Sequence, residues 1–60
     1  MARVYDFVFV GPEHQRVSIR GYGQTTRGAE RNARDRMAKD LQLESTRSYR
    51  TITIKFAGRE

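Results

Sequence analysis

The stretch Arg3-Val4-Tyr5-Asp6-Phe7-Val8-Phe9-Val10 is built almost wholly from β-branched and aromatic residues. Such side chains favour the extended, pleated backbone, along which successive residues point to opposite faces. Tyr5, Phe7 and Phe9 therefore form one row, and Val4, Val8 and Val10 form the other, interrupted by Asp6. A strand that is apolar on both faces belongs at the centre of its sheet. Gly11-Pro12 ends this strand, and Glu13-His14-Gln15 complete a loop of about five residues. The chain then returns through Arg16 to Tyr22 (RVSIRGY), which alternates polar and apolar as the second strand of a hairpin does.

Beyond the hairpin, Gly21, Gly23 and Gly28, with Thr25 and Thr26 among them, predict a turn that opens a helix. Either threonine can cap it by accepting a bond from an unpaired first-turn amide. Ala29, Ala33, Met37 and Leu41 recur every four residues, with Ala38 beside them, so one narrow apolar face runs along a helix from about Arg27 to Leu43. Three of those five residues are alanine, which suits close packing on a sheet. Glu44-Ser45-Thr46 breaks the pattern. Tyr49 to Phe56 (YRTITIKF) alternates again as a third strand, and Ala57 to Glu60 reads as a frayed tail.

The expected fold class is α+β: one small β-β-α-β domain over residues 1–60, a three-stranded sheet in the order 2-1-3, and one helix on one face. The right-handed rule for a crossover between parallel strands keeps the helix on a single side. The opposite face is then expected to show water a contiguous apolar patch, which soluble monomers rarely do.

Composition narrows the function. A folded chain of this size buries only ~60% of the surface its unfolded form exposes, so its stability is marginal without staples or self-association. There is no cysteine and one histidine among the 60 residues, which excludes disulfides and leaves a structural zinc site without ligands. No apolar run approaches the ~20 residues of a membrane span, and no secretory leader core follows Met1, so a soluble, cytoplasmic protein is expected. Twelve basic residues against seven acidic ones give a net charge of +5. Only Lys39 and Lys55 are lysines, so arginine, whose planar fork matches phosphate, carries the rest of the basic charge.

Arg20-Gly21-Tyr22-Gly23 resembles the opening of the RNP1 signature of the RNA-recognition motif, and Phe7 to Val10 is similar in flavour to its RNP2 partner. Gln24-Thr25-Thr26 stands where the aromatic half of RNP1 would be, so no family residues are carried over. The β-β-α run ending in a basic helix resembles part of a double-stranded-RNA-binding domain in outline, without that family's lysine-rich helix start. Gly23 to Gly28 has the spacing of a phosphate loop, but Ala29-Glu30 replaces its Lys and Ser/Thr.

Five residues are the candidates for nucleic-acid contact. Arg16 and Arg20 share a face of the second strand with Ser18 and Tyr22, a cationic row with a ring suited to stacking. Arg27 and Arg31 lie one turn apart at the less acidic end of the helix and are the least cancelled of its cations, since Glu30–Arg34 and Asp35–Lys39 have the spacing of self-compensating pairs. Catalytic residues, metal ligands and cofactors are not expected, because one histidine and no thiol make no nucleophile–base pair. The expected protein is a small nucleic-acid binder (DNA or RNA) acting as a homodimer or tetramer, with Ile52, Ile54 and Phe56 of the third strand as its oligomer interface. The competing expectation is a protein-interaction module, a small inhibitor or adaptor of the kind mobile elements encode, that docks a protein partner on the uncovered sheet face.

Overall fold

The computed structural model describes residues 2–59. Strand β1 (Arg3–Val10) pairs antiparallel with β2 (Arg16–Gly23) on one side and with β3 (Arg50–Arg59) on the other, giving the order β2-β1-β3. One helix, α1 (Thr26–Leu41), joins β2 to β3. The aromatic row of β1 faces it. Phe7 and Phe9 are fully buried with Ala29, Ala33 and Met37, and Tyr5 and Tyr49 complete the cluster. The Phe7 and Phe9 rings stack with centroids 6.0 Å apart, and Tyr5 lies tilted 6.1 Å from Phe7.

The helix ends follow local chemistry. Thr25 is the N-cap, its hydroxyl accepting from Gly28 N–H at 3.0 Å. At the other end Gln42 takes a left-handed conformation and Leu43 N–H donates to Ala38 C=O at 2.8 Å, the closing pattern of a Schellman turn. This stops the helix two residues before Leu43. Leu43 then swings back onto the core, whereas Leu41, expected on the apolar face, is 42% exposed.

The position of α1 across the sheet is the feature that sequence periodicity leaves open. The helix packs on β2 and, less extensively, on β1, and makes no comparable packing against β3. Gly21 explains the bias: a Cβ there would fall 2.2 Å from the Ala29 carbonyl oxygen, so only a glycine lets the helix lie this close. Gly21 lies in β2 as the alternation of Arg16 to Tyr22 predicts, β2 also takes in Gly23, expected in the turn, and both glycines serve helix packing. Asn32 Oδ1 accepts from Tyr22 N–H at 2.9 Å, so the helix also satisfies the outer edge of β2.

Strand β3 is left bare. It runs on to Arg59, pairing Gly58 with Val4 and Arg59 with Arg3, so residues 57–59 are strand, correcting the expected frayed tail; Glu60 lies outside the described residues. Two register shifts against β1 leave Ile52 and Ala57 as extra residues, which makes two bulges, both on β3. Gly58, with φ of +126°, adjoins the second bulge and accommodates its bend.

Candidate nucleic-acid interface

The sheet face away from α1 is assembled row by row from the strand registers. Arg16, Val10 and Arg50 stand abreast, then Ser18, Val8 and Thr53, then Arg20, Asp6 and Lys55, then Tyr22, Val4 and Gly58. Successive rows are about 7 Å apart, two residues of strand rise. Four cations therefore share this face with one carboxylate. The face opposite the helix, expected to show an apolar patch, carries the valine row, but polar residues of β2 and β3 flank that row and Val8 and Val10 are only half-buried between them. That corrects the expectation: the exposed Ile54 and Phe56 of β3 pair with Phe7 and Tyr5 and so lie on the other face, beside α1.

Asp6 sits at the centre of the charged row. Arg20 Nε donates to its Oδ1 at 2.9 Å and Arg20 Nη2 to Oδ2 at 3.5 Å, while Lys55 flanks it from β3. The hydrogen bond from Arg20, then the charges of Arg20 and Lys55, hold the Asp6 carboxyl below the usual carboxylate range. Both partners of this pair are about half exposed, so its Coulomb energy is strongly screened. Arg16 and Arg50, at the other end of the face, form no ion pair among the described residues.

Tyr22 closes the face at the β2 edge, where the Arg36 guanidinium lies 5.3 Å from its ring centroid. One side of the ring is thus already occupied by a cation, and Arg36 brings further positive charge to this edge.

Arg27 and Arg31 are elsewhere. They line a shallow groove of about 370 Å³ on the β3 side of α1, together with Glu30, Arg34, Asp35 and Thr46. Arg34 is fully engaged there: Nη1 donates to Thr46 C=O at 2.8 Å, Nη2 to the Thr51 hydroxyl at 3.3 Å, and Nε lies 3.6 Å from Glu30. Thr51 in turn donates to Glu30, and the guanidinium caps the Phe9 ring at 5.1 Å. Arg34, which the sequence places on a solvated face, is therefore a bolt between helix and third strand. The other expected helix pair, Asp35–Lys39, does not form.

The five expected contact residues are thus split between two sides of the molecule. Arg16, Arg20 and Tyr22 share the open face; Arg27 and Arg31 do not. Sequence reasoning missed Arg50, Lys55 and Arg36. The alternation of β3 shows that Lys55 lies opposite Ile54, but its neighbours follow only from the register. Among the described residues no group of three His, Asp or Glu side chains converges on a metal-sized site, and no helix is long and apolar enough to cross a membrane. No protein-family model, curated protein or solved structure matches this chain.

Proposed function

We propose that this protein binds nucleic acid through its helix-free sheet face, gripping phosphates with Arg16, Arg20, Arg50 and Lys55. The observation that carries the reading is the composition of that face, four cations around a half-buried valine row with one carboxylate among them. A protein-docking surface depletes charge at its centre, whereas here the row of Arg20, Asp6 and Lys55 crosses all three strands, so this face suits phosphate better than a protein partner. Arg27 and Arg31 are not part of the contact surface in this reading, since Glu30 and Asp35 share their groove. Chemistry beyond binding is not assigned, because the single histidine, His14, sits exposed in the hairpin loop.

Fluorescence anisotropy with a labelled duplex and a labelled single strand, repeated across a salt series, tests the reading. Each phosphate neutralised contributes about −0.9 to the slope of log K against log salt for duplex. The Arg16→Ala/Arg50→Ala double variant is expected to flatten that slope by about 2. The Arg27→Ala/Arg31→Ala variant is expected to leave it nearly unchanged. Absence of binding at low salt, or a slope that moves with the helix pair and not the sheet pair, rejects the proposal.

A further inference from the structure

The uncovered apolar surface lies on the helix side of the sheet, beside the helix. Ile54 and Phe56 pair in register with Phe7 and Tyr5, so they continue the core row outward, and the Phe56 ring meets Tyr5 edge-on at 5.5 Å. Yet α1 stops short of them. Ile52, Ile54 and Phe56 are 44%, 46% and 54% exposed. The core is open along one flank.

We infer that a second copy of this chain closes that flank by laying its own β3 face to face on this one. The area argues for it. The accessible surface is 4549 Å², whereas a compact monomer of this mass exposes about 4,000 Å². Two copies that each covered a surface of about 500 Å² would bury the ~1,000 Å² at which specific interfaces begin. A two-fold axis presents the same apolar stripe from both sides, which a self-complementary contact requires.

The bulges decide how the copies meet. An open edge strand ordinarily invites edge-to-edge pairing into a wider sheet. On β3 only Thr53 to Phe56 lie between the bulges in regular register, too short a run for a strong ladder. Edge pairing would also leave the upper surfaces of Ile54 and Phe56 open. Face packing covers them. A packed sheet stands about 10 Å above its neighbour, close to the thickness of a helix, so the partner's sheet continues the layer that α1 begins. In that arrangement the α1 of each copy runs beside the exposed β3 edge of the other. The inference does not depend on the nucleic-acid reading, since the cationic faces remain on the outside.

Sedimentation equilibrium with circular dichroism tests it. The wild type is expected to be a dimer at micromolar concentration. Phe56→Lys is expected to weaken association by roughly a hundredfold, about tenfold for each ring lost from a symmetric contact, with the dichroism of the fold retained. Ile54→Ser carries the same test from a second position should Phe56→Lys fail to fold. Thr53→Lys separates the two modes: edge pairing centred on Ile54 would set the new lysine against Lys55 of the partner subunit and drive the copies apart, whereas face packing leaves the dimer intact. A wild-type monomer at these concentrations, an undiminished dimer in both the Phe56 and Ile54 variants, or dissociation by Thr53→Lys overturns the inference.

Discussion

Asp6 shows how one residue serves stability and binding in opposite senses. In the folded chain its carboxyl is held low by Arg20 and Lys55. Its stabilising contribution is therefore present above the ordinary carboxylate range and is lost as the pH falls through the depressed folded value. Asp6→Asn is expected to lower stability slightly at neutral pH, and its difference from wild type should vanish in acid. The same substitution removes the only negative charge that the described residues place on the open face, so nucleic-acid affinity at neutral pH should rise severalfold. Denaturant melts across pH, paired with anisotropy titrations, read both effects. Weaker binding by Asp6→Asn would mean that ordering Arg20 matters more than the net charge of the face.

At the scale of elements, the decisive contact is between β2 and α1. The apolar stripe of the helix is narrow because it is mostly alanine, and only close approach lets so small a stripe bury anything. Gly21 permits that approach, with the Ala29 carbonyl where its Cβ would be. Gly21→Ala must push backbone against backbone, which cannot be relieved by a rotamer change. Overpacking of this kind typically costs about 1–3 kcal/mol, a large part of the stability of so small a domain. Urea denaturation of the variant is the measurement, and a loss below about 0.5 kcal/mol, the range of ordinary surface substitutions, would show that the helix can shift laterally. Such a shift would carry α1 toward β3, which already holds it through Arg34, Glu30 and Thr51.

For the whole molecule, the asymmetry of the two sheet edges governs behaviour. Asn32 accepts from one outward amide of β2 and α1 packs on that strand, while β3 has no such helix packing and leaves Ile54 and Phe56 exposed. If folding and association are linked through that flank, stability depends on mass action. The melting temperature should then rise with protein concentration for the wild type and stay constant for Phe56→Lys. A concentration-independent wild-type transition would show that the 60-residue fold stands alone. With face packing, the two cationic faces point away from each other, so a dimer would present phosphate-binding surfaces on opposite sides. Edge pairing would have merged them into one.

The local pattern of the sequence was sufficient for the elements and their order. Strand β1 is apolar on both faces, and that alone requires a strand on each side of it; α1 has one apolar stripe, so it covers one face. These are consequences of period and burial, which each segment carries within itself. The sequence also named Arg16 and Arg20 correctly as neighbours on one face, because residues four apart on a strand share a side. What it left open is lateral. Whether α1 sits over β2 or over β3 depends on backbone approach at Gly21, on the Asn32 bond to Tyr22, and on a Schellman turn that directs Leu43 inward and Leu41 outward. Arg50 and Lys55 join the cationic face only through the β1–β3 register and its two bulges. Periodicity sets which way a side chain points, but the pairing of distant strands sets what it points beside, and only the assembled tertiary structure contains that information.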